Sequence, residues 1–308
     1  MVTSSLEYSH TIGIASFEGR GFMNPIDIKF KNDLLFILSR SNASNKNNRV
    51  SAVSVQSDHK FEFANWGEED GQSILPTSIA FDLDNNFYLS DEHLNRISIF
   101  DLEGNFIEKW GKYGYGKGDL NRPSGIAINS DNELVVVDHL NSRIQKFDTK
   151  GNYISSFGEF GSLEGQFNYP WGLAIDSQDN IFVADWRNNR IQIFNKKGEF
   201  IRFIENFNKP SSVHIDKKGV IYITNWGDDN VVIYDKNYNF SHKLIGDATL
   251  SKWCKEFLDV NPEQSSWRES AGLFEEEKRF WRPAGIETND ELIFITDSCR
   301  HRVQIYKK

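Results

Sequence analysis

The sequence is short of several features that would settle a function at once. Two cysteines, Cys254 and Cys299, in 308 residues do not make a disulfide framework. No apolar run approaches the roughly 20 residues of a membrane-spanning helix, so no membrane role is expected. The start, MVTSSLEYSH, has neither a basic segment nor an apolar core. No secretory signal is visible there, and a cytoplasmic location is the expectation. Basic residues are in deficit: 35 Lys and Arg against 44 Asp and Glu give a formal charge of −9. Nucleic acid, which wants a basic face, is therefore not the expected partner. No Gly-x-x-x-x-Gly-Lys-Ser/Thr, Gly-x-Ser-x-Gly or His-Glu-x-x-His occurs. P-loop, α/β-hydrolase and zincin chemistry lose their sequence signatures with them.

What is present is a repeat. Residues 169–203 hold four short apolar runs, at 173–175, 181–184, 191–194 and 200–203, with Asp179-Asn180 and Lys196-Lys197-Gly198 between the outer pairs. Runs this short and rich in Ile, Val and Phe read as strands, and the separators as turns. Five further copies exist. The scarce prolines open each one: Pro25, Pro76, Pro123, Pro170, Pro210 and Pro283. A first strand follows each proline, as in TSIAF, SGIAI and WGLAI. A second reads LSD, VVD or VAD at its end, and a third reads RISIF, RIQKF, RIQIF or RVQIY. The spacing is about 47 residues in mid-chain, within the range of propeller repeats.

The last copy has no fourth strand after Tyr306. The segment Tyr8-Ser9-His10-Thr11-Ile12-Gly13 is similar to Tyr153-Ile154-Ser155-Ser156-Phe157-Gly158, which is a fourth strand. The first strand of the chain is therefore expected to complete the last blade and remove the open edges. The expected fold is all-β and a single domain over 1–308: a six-bladed β-propeller of four-stranded antiparallel blades.

The pattern resembles the NHL repeat. Gly165-Gln166-Phe167-Asn168-Tyr169-Pro170-Trp171-Gly172 and Asp185-Trp186-Arg187-Asn188-Asn189-Arg190-Ile191-Gln192 carry it best. The Asp-to-Arg offset recurs at Asp91/Arg96, Asp138/Arg143, Asp185/Arg190 and Asp297/Arg302; blade five has Asn225 and Asn230 instead, and blade one Ser39 and Arg49 beyond a Ser/Asn loop. These pairs read as structural. The resemblance implies that hydrolase, lyase or interaction roles are open to such a propeller. For the NHL-like amidating lyases it implies three zinc-binding histidines. His301 falls where one would, but the residues after the six prolines, where the other two belong, are Ile26, Thr77, Ser124, Trp171, Ser211 and Ala284. That particular activity is not expected. A divalent metal ion on the axis, held by His93, His139 and His301, stays open.

Between blades five and six, residues 247–271 break the repeat. Leu250, Trp253, Cys254, Phe257 and Leu258 have helical spacing, with Asp247 or Thr249 as cap, and Asn261-Pro262 starts a second helix. Two readings stand, a cap on the blades and a lid over a pocket. In a four-stranded meander the second-to-third loops and the blade links leave from one end, so their side chains gather on one face. The catalytic candidates there are His93 and His139 as base and Arg40 as anion clamp. The binding candidates are Tyr169, Trp171, Trp186, Trp226, Arg122, Trp281, Arg282 and Cys299. Rings among guanidinium groups suit a planar or anionic small molecule. The expected function is small-molecule binding on that face under the insertion, with hydrolase or lyase chemistry. The alternative is a non-catalytic scaffold for a protein or peptide.

Overall fold

The computed structural model describes residues 6–40 and 46–308. The tip of the first blade's Ser/Asn loop, 41–45, and the start of the segment on which a signal was sought, 1–5, lie outside them. Six four-stranded antiparallel sheets stand around an axis. Blades one to five span 25–63, 76–110, 123–157, 170–204 and 210–244. The sixth orders its strands as Glu7–Ile12, Arg302–Lys307, Leu292–Asp297 and Pro283–Thr288. The N-terminal strand thus completes it, with Tyr8 opposite Tyr306 and Ile12 opposite Val303.

Each proline begins the innermost strand, where its missing N–H costs no ladder bond, and sits opposite the last residue of the second strand. All six inner strands shift register just after it. The bulge lets neighbouring inner strands crowd the axis. A Cβ on Gly172 would lie 2.4 Å from the Ser211 carbonyl oxygen, and one on Gly285 would lie 2.6 Å from the Asp27 Cα. Glycine is needed there for space. Second and third strands are buried on both sides, which is why they read as continuous apolar runs. Their side chains form six cores, each between two consecutive blades.

The insertion forms α1 (Lys252–Val260), α2 (Pro262–Ala271) and a short α3 (Phe274–Lys278), the last not anticipated. The cap of α1 is Ser251, whose hydroxyl accepts from the Cys254 N–H, rather than Asp247 or Thr249. Those two are engaged elsewhere: the Asp247 N–H donates to Gln304 and Tyr306, and the Thr249 N–H to the Tyr8 hydroxyl. The helices do not roof the axis as a lid over its mouth would. Trp253 enters the core between blades six and one, 5.8 Å from Phe22, and its indole N–H donates to the Ser57 carbonyl. The insertion straps the seam where the ring closes. No helix among the described residues is long and apolar enough to cross a membrane.

Candidate functional site

The Asp/Arg pairs are latches. In blade four, Asp185 Oδ1 accepts from the Asn168 N–H at 2.8 Å, and Oδ2 accepts from Asn188, Arg190 and Gln192. The Arg190 guanidinium then donates to the carbonyls of Ser162, Leu163 and Gln166 in the preceding link. Blades three and six repeat this with Asp138, Arg143 and Gln145 and with Asp297, Arg302 and Gln304. These side chains bond the blade links, so they build the face.

One residue follows each latch position: Arg40, Glu92, His139, Trp186, Trp226 and Ser298. Blades one to three contribute polar groups. Arg40 donates to Glu92 Oε1 at 2.7 Å, and Arg122 lies 3.7 Å from the same oxygen. His139 is buried beside them, its ring edge-on to Tyr169 and Trp171 at 5.2 and 5.1 Å between centroids. Its Nδ1 is 2.8 Å from the Pro170 carbonyl oxygen. A carbonyl only accepts, so Nδ1 carries the proton and Nε2 the lone pair. Burial, despite the Pro170 bond and the nearby Glu92 charge, lowers the His139 pKa from its usual 6.5 and keeps the ring neutral. Trp171, the one large side chain among the six that follow the prolines, reaches across the axis to the Arg40 guanidinium at 5.6 Å. Beneath it the channel narrows to a void of about 20 Å³.

Blades four and five contribute rings. Trp186 and Trp226 meet edge to face at 6.1 Å, with Lys209 over Trp186 and Arg282 over Trp226. Arg187 lies 4.2 Å over Tyr169. Trp281 stands further out under Arg300 and is 48% exposed. Cys299 is near Arg282, but burial is the larger influence and raises its thiol above the usual pKa, so it is not an activated nucleophile.

Two expected members do not join this cluster. The His93 side chain is exposed; its backbone N–H binds Asp91, and its imidazole has no hydrogen-bond or ring partner among the described residues. His301 sits in a left-handed conformation, φ 56°, and its Nδ1 accepts the Asn24 N–H at 3.0 Å. Asn95, Asn189 and Asp229 make the same bond to the next blade, so His301 is a latch between blades six and one. No group of three or more His, Cys, Asp and Glu suited to a metal gathers among the described residues, and the proposed histidine trio does not assemble. Glu92 was missed as a site residue. Its signal was its register, one after the latch Asp91, the same as His139.

The NHL repeat family matches residues 120–147, 167–194 and 280–306. The chain is a six-bladed propeller that carries NHL repeats at these three positions. The three matches fall on blades three, four and six, the ones with complete Asp–Arg–Gln latches. No curated protein matches the sequence. Among solved structures, the NHL propeller is similar to a streptogramin B lyase, with 12% identity over all of both chains and a TM-score of 0.61. It is similar to a catalytically inactive histidine-to-alanine variant of virginiamycin B lyase from Staphylococcus aureus with quinupristin, at 16% identity over 92% of this chain and 80% of that one, TM-score 0.59. A chain of a nidogen/laminin complex is 15% identical over 78% of this chain and 91% of its own, TM-score 0.57. At such identities the shared property is the fold.

Proposed function

We propose that this NHL propeller binds a small molecule with an anionic group and a planar apolar part at its axial mouth, and that His139 is the general base of a lyase or hydrolase reaction there. The observation that carries this is the state of His139: neutral, fixed by Pro170, Tyr169 and Trp171, with Nε2 free of any protein partner among the described residues. Nε2 takes a proton from a substrate carbon or from water. Arg40 and Arg122 offset the negative charge that develops, and Glu92 beside them favours the imidazolium that forms. Trp186 and Trp226 hold the planar part on the other half of the mouth. The fold likeness to a streptogramin B lyase, and to a virginiamycin B lyase whose histidine-to-alanine variant is inactive, supports this reading.

The test starts with the small molecules released on denaturing the purified protein and identified by mass spectrometry. Trp226→Ala is expected to lose the retained molecule. His139→Gln is expected to keep it and to lose turnover by about 100-fold or more. Equal turnover in His139→Gln would overturn the reading. The open mouth, with cations already lying on its rings, favours a second reading, a docking face for a protein or peptide. On that reading nothing is retained, and Trp226→Ala weakens a protein complex instead.

A further inference from the structure

A cleft of about 300 Å³ lies away from the axis, between the seam and the inserted helices. Its apolar wall is Ile14, Leu250 and Phe274; its polar wall holds Arg268, Glu277 and Arg300. The loop entering α1 and Ser251 line one end, so the positive end of that helix opens onto it. Cys254 lies in the same lining.

The cations of the cleft are not equivalent. Arg268 is bound to Glu277 at 2.5 Å, Lys278 to Glu275 at 2.5 Å, and Arg302 to Asp297 at 2.8 Å. Arg300 has no carboxylate partner among the described residues. It donates one bond, to the Glu276 carbonyl at 2.8 Å, and rests near the Trp281 ring. Its Nε is buried without any hydrogen-bond partner. A buried N–H with no acceptor, on a guanidinium without a carboxylate partner among the described residues, in a lining that also holds the start of α1, suits an anionic ligand.

We propose that this cleft is a second binding site, for a small carboxylic acid with an apolar body. Its carboxylate pairs with Arg300 near the start of α1, and its body lies against Ile14, Leu250 and Phe274. The volume suits a single ring or a short chain. Because one wall follows the closing strand and the other is the insertion, the bound acid spans the seam of the ring. The site is separate from the axial mouth and does not depend on the chemistry assigned to His139.

Cys254 supplies the readout, with Cys299 as internal reference outside the lining. Alkylation of both thiols by iodoacetamide is followed by peptide mass spectrometry in the whole protein. Sodium benzoate is expected to slow modification of Cys254 saturably, with half-protection at about 1 mM, and to leave Cys299 unchanged. Benzamide, which has the ring without the charge, is expected to protect at least about tenfold more weakly. Arg300→Gln is expected to shift the benzoate midpoint upward by about tenfold or more, and Arg300→Lys by less. His139→Ala is expected to leave the curve in place. Equal protection by benzamide, an unchanged midpoint in Arg300→Gln, parallel protection of both thiols, a curve moved by His139→Ala, or no protection at about 30 mM would each overturn the site.

Discussion

The latch aspartates show how much a single carboxylate can hold. Asp185 is fully buried and accepts four bonds, one from the Arg190 guanidinium, which is itself buried. Asp185→Ala leaves that guanidinium without its counter-charge, and the expected loss is about 3–5 kcal/mol in urea unfolding. Asp185→Asn with Arg190→Asn is expected to recover much of it, because blade five folds with Asn225 and Asn230 in those places. There Asn225 still accepts the Asn208 N–H at 2.7 Å, and Asn230 donates to the Asp228 carbonyl. A double variant no more stable than Asp185→Ala would disprove that equivalence. These pairs were legible in the sequence because a fixed offset of charges repeats. The role of Glu92 was not, because an acid in a loop looks the same whether solvated or held between Arg40 and Arg122. The separate fates of His93, His139 and His301 were equally hidden. Each stands near a latch Asp, and only the fold shows one exposed, one buried at the mouth and one bonded to the next blade.

At the scale of elements, strands were readable and the docking of helices was not. Each blade carries its own proline, its bulge and its alternating turns, all local in the chain. The insertion is helical by the spacing of its apolar residues, but its place depends on contacts far apart in sequence. Trp253 packs on Phe22 and bonds Ser57, the Ser251 hydroxyl donates to the Gly13 carbonyl at 2.5 Å, and Arg20 pairs with Glu256. Those contacts pull α1 to the seam instead of the axis, leaving the mouth uncovered. The helix therefore acts as a strap. Trp253→Ala removes a large buried ring and leaves the Ser57 carbonyl without its donor, for an expected cost of about 3–5 kcal/mol. Because the ring sits at the closure, hydrogen exchange of the Glu7–Ile12 strand should accelerate more than that of the Tyr153–Phe157 strand, its counterpart in blade three. Equal acceleration in both would show that the helix stabilises the molecule without fastening the seam.

For the whole molecule, ring closure joins the stability of every blade to that of its neighbours, and histidines that are wholly or partly buried make that stability depend on pH. His139 lies at the mouth, His214 low on the inner strand of blade five, and His301 in the latch between blades six and one. Burial is the leading cause that lowers all three below 6.5; for His214 it prevails over Glu287, with Lys29 and Lys308 acting in the same direction and Asp216 against it. The folded protein thus binds fewer protons than the unfolded chain just below that value. Stability is unaffected by these groups above pH 6.5 and falls as the pH drops from 6.5 toward their lowered folded values. The urea midpoint should hold steady from pH 8 to 7 and decline between about pH 6.5 and 5. That window lies above the range in which Asp101, Asp148 and Asp235, held below their usual 3.8 by hydrogen bonds despite some desolvation, begin to protonate. Burial raises Asp138, Asp185 and Asp297 despite their hydrogen bonds and arginines, so these three take up protons more readily when folded and oppose the decline. His301→Asn gives the cleanest check. Asn95 and Asn189 already make the same latch bond in the same left-handed conformation, so the substitution preserves the acceptor and removes one titrating ring. Its midpoint at pH 7.5 should match or exceed that of the parent chain, and its decline toward pH 5 should be shallower. An unchanged slope would mean that His301 titrates alike in both states and that the acid sensitivity arises at other groups.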